Sequence, residues 1–193
     1  MKAAIVLVDL LEDFFRYGRV FDNRINFAKN VNTLIKHARK HKIPVIWIKQ
    51  EFSPDLSDAF LAMRKNNLAV TIKNTKGSKI LKELTLEPED YIVIKKRFSG
   101  FFNTDLEGIL EKLSIDTLII GGVNTHACVQ MTVIDAYQRD YEVIIDTDCV
   151  DSFDEFFHKE SLRYLKRSIA TLKTNTEILE VINGAEKLPQ KEE

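Results

Sequence analysis

One cysteine at the start of a helix, and two charged residues at the ends of apolar runs, carry the reactive chemistry of this chain. In GGVNTHACVQMTVIDA the apolar run Thr117-Leu118-Ile119-Ile120 stops at Gly121-Gly122, and a helical pattern starts four residues later. Cys128 therefore falls in the first helical turn, where unpaired backbone N–H groups and the positive end of the helix dipole lower a thiol's pKa. A free cysteine is also among the most buried residue types, so this segment by itself leans toward simple packing. The positions of Asp9 and Lys95 change that balance.

Asp9 directly follows the apolar run Ala3–Val8, and Lys95 directly follows Tyr91–Ile94. In open α/β sheets, ligands bind beyond the carboxyl ends of the strands, near the point where strand order reverses. A thiol, a carboxylate and an ammonium on that rim form a working unit. The carboxylate takes the thiol proton, and the lysine stabilises the thiolate and holds the carboxylate. Each residue also has a plainer reading. Asp9 could cap the turn after its strand, and Lys95-Lys96-Arg97 could be a solvated strand exit. His126 lies only two positions from Cys128 on a helix and would not face it, so it reads as exposed or supporting. Cys149, just past an apolar run, reads as a packing residue.

The elements that must position these residues are legible as alternation. Ala3–Val8, Pro44–Ile48, Tyr91–Ile94, Thr117–Ile120 and Glu142–Ile145 are nearly continuous apolar, β-branched runs, as parallel strands covered on both faces should be. Ile25, Ala28, Val31, Ile35 and Ala38 mark one face of a helix ending near His41. Thr104-Asp-Leu-Glu107 reads as a capping box opening a helix to about Leu113. Further helices are expected from about His126 to Arg139, and from Asp154 through Leu162 and Leu165. A short strand near Ala170–Lys173 precedes a last helix capped by Thr174 with Glu177. The pattern predicts a three-layer α/β/α domain whose mostly parallel sheet has about six strands. It reads as one domain over residues 1–185 with a polar tail at 186–193. Ser53–Lys76 is the one long stretch without clear periodicity, which marks it as the expected substrate cover.

Composition excludes several classes. The apolar fraction of 45%, charged fraction of 30% and net charge of −1 are those of an ordinary soluble protein with no nucleic-acid or anionic-membrane signature. Two widely separated cysteines make no disulfide framework, and no Cys/His spacing suggests zinc, so a reducing cytoplasm is the expected compartment. The N-terminal MKAAIVLVDLLEDFF is interrupted by Asp9 and lacks a small-residue cleavage site, unlike a signal peptide.

Three segments together, IVLVDLLEDFF, IKKRFSGFFNTDL and GGVNTHACVQMTVIDAYQRDYEV, resemble the signature regions of the isochorismatase-like cysteine hydrolases. That family includes nicotinamidases, N-carbamoylsarcosine amidases and ureidoacrylate amidohydrolases, and the resemblance runs from about Ala3 to Asp148. It implies an isochorismatase-like, Rossmann-like fold with Asp9, Lys95 and Cys128 as the catalytic residues. Lys95 rather than Lys96 takes the lysine role, because Ser99-Gly100-Phe101 matches the motif that follows it. The resemblance further implies a cis peptide at Val123–Asn124, which presents the Asn124 N–H beside that of Cys128 as an oxyanion hole. It also implies a homo-oligomer, a dimer or tetramer.

The departures from the family pattern are informative. Leu11 stands where a glutamine is usual, which leaves the hydrogen bonding of Asp9 open. Nicotinamidases carry an Asp-x-His motif and a further histidine after the second strand. Here that region reads IKQEFSPDLSDAFLAMRKNN, without histidine, so no metal and no cofactor are expected. True isochorismatases need no cysteine, since they cleave a vinyl ether with the carboxylate as acid.

The resulting expectation is a metal-independent cysteine hydrolase cleaving the C–N bond of a small amide or N-carbamoyl (ureido) compound. Phe14, Phe52 and Phe101 are candidate pocket walls, and Arg64 or Lys65 candidate holders of a substrate carboxylate. An isochorismatase-type ether hydrolase, a nicotinamidase and a non-catalytic binding module remain the alternatives.

Overall fold

Among the described residues, six strands form one all-parallel sheet: β1 (Ala3–Val8), β2 (Val45–Gln50), β3 (Tyr91–Lys95), β4 (Thr117–Gly122), β5 (Glu142–Val150) and β6 (Thr171–Lys173), in the order β3-β2-β1-β4-β5-β6. The computed structural model describes residues 1–184. The expected polar tail at 186–193 lies outside them. Every residue of β1 and β4 is buried, which is why these strands read as unbroken apolar runs.

Helices cover both faces. On one side α1 (Gly18–Asp22), α2 (Arg24–Lys40) and α7 (Asn175–Ile182) place Val20, Phe27, Val31, Leu34, Ile35 and Ile178 over Ile5, Leu7, Trp47 and Ile119. On the other, α4 (Leu106–Lys112), α5 (Gln130–Tyr137) and α6 (Glu155–Lys166) place Leu106, Leu110, Val133, Ala136 and Leu165 over Val6, Ile48, Val93 and Ile120. A short helix, α3 (Leu61–Asn66), lies within the long segment after β2. Among the described residues, no helix is long and apolar enough to cross a membrane.

The chain runs outward from β1 through β2 to β3, then returns to place β4 on the other side of β1. Strand order therefore reverses between β1 and β4, and their carboxyl ends are where Asp9 and the segment leading to Cys128 emerge. The close approach is written in Gly122. Its φ is +135°, and a Cβ there would lie 2.2 Å from the Val8 carbonyl oxygen, so only glycine lets β4 end against β1.

Several local features depart from the sequence reading. Ile25 is exposed (71%) although its spacing put it on the buried face, because at the second position of α2 it lies outside the packed cluster that takes in Phe27, Ala28 and Val31. Thr104 does not close a capping box with Glu107; its hydroxyl donates to the Gly100 carbonyl at 2.5 Å and accepts weakly from the Leu106 N–H at 3.3 Å, and α4 begins at Leu106. β5 runs on to Val150 past a register shift, since Ile120 pairs with Ile145 but Gly122 with Val150. The polar Asp146-Thr147-Asp148 stretch fills the bulge and hid this continuation. By contrast, Asp154 caps α6 by accepting from the Phe157 N–H, and Thr174 with Glu177 forms the capping box of α7.

Candidate active site

Asp9 begins the site. It has φ +55°, a left-handed conformation that a short polar side chain tolerates better than most, and it turns the chain out of β1. Its own N–H donates to the Ile48 carbonyl at 2.8 Å, and its Oδ1 accepts the Gln50 N–H at 2.7 Å. The carboxylate is thus held by the end of β2. Leu11, in place of the usual glutamine, is fully buried and only its backbone takes part, donating its N–H to the Asp9 carbonyl at 2.8 Å.

Lys95 ends β3 opposite Gln50 in the strand register. Its side chain crosses back over β2, a reach of about two strand spacings, or roughly 9–10 Å between backbones. The ammonium lies 2.6 Å from Asp9 Oδ2, 3.3 Å from Cys128 Sγ and 3.0 Å from the Arg97 carbonyl oxygen. Lys95 and Asp9 have no exposed surface, and Cys128 is 5% exposed. Lys96 points elsewhere, to the Glu51 carbonyl and, at 2.8 Å, to Asp58 Oδ2.

Burial alone would pull the Lys95 ammonium down. The Asp9 charge and then Cys128 outweigh it and hold the lysine above its usual value. Cys128 moves up as well: burial comes first, the Asp9 charge adds to it, and Lys95 pulls the other way without winning. This corrects the expectation of a thiol acidified by a helix start. Cys128 is the fourth residue of a π-helical turn, Thr125–Val129, and the loss of water around it, with the Asp9 charge, exceeds the opposing pull of Lys95. Burial and the Asp9 charge thus hold Cys128 as a thiol beside a carboxylate.

The turn carrying Cys128 is braced by the end of β5. The Thr125 N–H and hydroxyl both donate to the Asp151 carbonyl, and the Thr125 hydroxyl lies 2.9 Å from His158 Nδ1. His126 turns away from Cys128, with Nδ1 2.6 Å from Ser152 Oγ and its ring against Phe153 and Phe157. The Val123–Asn124 peptide is cis, and the Asn124 side-chain oxygen accepts the Phe153 N–H. The Asn124 carbonyl accepts from Ala127 and Val129.

The candidate walls separate. Phe101 shares an apolar cluster with Cys128, Phe52 forms a small core with Leu56, Ala59 and Ile72 of the segment after β2, and Phe14 packs on the opposite face of the sheet. Arg64 donates to the Ala59 carbonyl at 2.6 Å within the segment after β2, and Lys65 lies exposed on α3. Cys149 is fully buried against the α2 side.

The segment after β2 is tied to the Asp9 segment. Asp13 Oδ2 accepts the Thr71 N–H at 2.6 Å, and the N–H groups of Glu12 and Asp13 donate to the carbonyls of Lys79 and Gly77. The sequence reading missed Gln50, whose backbone holds Asp9, and Thr132, which bonds to the backbone of Cys128. The first acts through its backbone N–H, which no side-chain pattern marks. Nothing in the pattern marked the second.

A family model, the isochorismatase domain, matches residues 3–177. A probable inactive nicotinamidase from Arabidopsis thaliana is 31% identical over 86% of this chain and 88% of its own. A ureidoacrylate amidohydrolase from Methylobacterium radiotolerans is 32% identical over 65% of this chain, which spans 55% of that relative. The solved N-carbamoylsarcosine amidase of Thermoplasma acidophilum superposes with a TM-score of 0.77 at 26% identity, covering 91% of this chain and 97% of that one.

Proposed function

The chain belongs to the isochorismatase family, and on that premise we propose that it is a metal-independent cysteine amidohydrolase acting on a small amide or N-carbamoyl compound. The observation that carries this reading is the buried lysine ammonium within hydrogen-bond reach of both Asp9 and Cys128. The named amidohydrolase relatives support the bond type.

In the proposed reaction, Asp9 takes the Cys128 proton as sulfur attacks the carbonyl carbon. The oxygen becomes an oxyanion held by the N–H groups of Asn124 and Cys128. Losing one such donor costs roughly 100- to 1000-fold in rate in other hydrolases. Asp9 returns the proton to the leaving nitrogen as the C–N bond breaks, leaving a thioester on Cys128 and releasing an amine or ammonia. Water then gives a proton to Asp9 and attacks the thioester, and the thiol is re-formed as the acid or carbamate leaves. Lys95 changes no protonation state. Its fixed charge offsets the negative charge that passes between Asp9 and sulfur.

A cysteine in the nucleophile position favours this chemistry over vinyl-ether cleavage, which needs only the carboxylate. The residues after β2 contain no histidine up to Asn67, so the nicotinamidase metal ligands have no counterpart. The test is a panel of small amides, N-carbamoyl amino acids, nicotinamide and isochorismate, run with wild type, Cys128→Ala and Asp9→Asn. Turnover of an amide or carbamoyl compound that both variants abolish is expected, and it should survive exhaustive chelation. Turnover of isochorismate alone with Cys128→Ala active, or loss on chelation with recovery on zinc, iron or manganese, would contradict it.

A further inference from the structure

Thr132 lies in the first turn of α5 and is fully buried. A buried hydroxyl needs partners, and this one has them at both ends of the site. It donates to the Cys128 carbonyl at 2.7 Å and accepts the Gly100 N–H at 3.0 Å. The first bond is the ordinary return of a helical threonine to the carbonyl four residues back. The second is not, because Gly100 belongs to the segment that follows β3 and Lys95.

That segment holds the lysine. An ammonium has three hydrogens, and Lys95 directs them at Asp9, Cys128 Sγ and the Arg97 carbonyl. The Arg97 carbonyl is the partner that belongs to the backbone, so its place fixes the third direction of the ammonium. Three residues on, Gly100 is pressed against β2, where a Cβ would lie 2.4 Å from Ile48 Cδ1. The result is a closed circuit. It runs from Cys128 Sγ to Lys95, through Arg97 to the Gly100 N–H, to the Thr132 hydroxyl, and back to the Cys128 carbonyl.

We propose that Thr132 is a positioning residue, which locks the segment from Lys95 to Gly100 onto the nucleophile's own backbone and so sets the Lys95–Cys128 distance. The role builds on the reading of Cys128 as nucleophile. Removing the hydroxyl leaves the buried Gly100 N–H without an acceptor, a cost large enough to move the segment rather than be borne in place. The Arg97 carbonyl moves with it, and the lysine loses its aim at sulfur.

The test uses the full chain with iodoacetamide as probe, reading the alkylation rate of Cys128 by peptide mass between pH 7 and 9, with a melting curve for each variant. Thr132→Val removes the hydroxyl at nearly constant shape, Thr132→Ala removes it without added bulk in case the valine form does not fold, and Thr132→Ser retains it. The expected result is slower alkylation of Cys128 by about tenfold in the valine or alanine form, and a rate near wild type in the serine form. A role in packing alone predicts the opposite sign, since a loosened core admits the reagent faster. Wild-type or faster labelling without the hydroxyl, or a serine form as slow as the valine form, overturns the proposal. If no amide is ever turned over while this labelling pattern holds, the hydrolase reading fails and the positioning role stands.

Discussion

The Lys95 ammonium lies 2.6 Å from Asp9 Oδ2, and neither side chain has any exposed surface. An ion pair sealed from water is costly to form and more costly to halve, because the surviving charge keeps its desolvation penalty and loses its partner. Lys95→Met should therefore lower unfolding stability by about 3–5 kcal/mol. Adding Asp9→Asn to it should recover much of that loss. Chemical denaturation of the two single variants and the double variant measures the coupling, and single variants each within about 0.5 kcal/mol of wild type would mean the pair is open to solvent.

Alkylation should report the raised thiol. With burial and Asp9 both holding Cys128 protonated, its reaction with iodoacetamide should be slow at neutral pH and climb steadily to pH 9 without levelling. Cys149, fully buried and also pushed up by burial and by Asp146, should label later still. A Cys128 rate that levels off below pH 7 would show a preformed thiolate, with Asp9 not needed as its base.

The second buried carboxyl has a different consequence. Asp146 sits in the β5 bulge beside the Cys149 thiol, and burial lifts its pKa from 3.8 to about 6. Because the folded value exceeds the unfolded one, its contribution is full below about pH 4 and is lost as pH rises to 6. The loss is on the order of 2–3 kcal/mol. Asp146→Asn should thus gain melting temperature relative to wild type progressively between pH 4 and 6, with a constant gain above. A difference that does not vary with pH would show that this carboxyl is not buried in its acid form.

The fold was legible because both faces of the sheet are covered. That condition makes β1 and β4 unbroken apolar runs and turns their ends into markers. Asp9 and the Gly121-Gly122 pair that ends β4 before Cys128 stand out for that reason. Lys95 needed the Ser99-Gly100-Phe101 context, since Lys95 and Lys96 are alike in type, and only the fold shows that Lys95 is the last residue of β3 and Lys96 the first beyond it. What stayed hidden depends on partners distant in sequence. The Thr104 hydroxyl follows the Gly100 carbonyl instead of closing a cap, Gln50 contributes a backbone N–H that no side-chain pattern reveals, and Thr132 looks like any helical threonine until Gly100 is placed beside it. The thiol's pKa was misjudged for a related reason. Helix position is local, while burial is a property of the whole fold.

The most direct measurement of the central claim is the mass of the protein caught during turnover. With any amide or carbamoyl compound that the wild type hydrolyses, rapid acid quenching should show the chain heavier by the acyl part of the substrate. Digestion should place that mass on Cys128, and Cys128→Ala should show neither adduct nor turnover. A substrate consumed at full rate with no adduct on Cys128, and at an undiminished rate by Cys128→Ala, would contradict the thioester mechanism and return the chemistry to the Asp9 carboxylate alone.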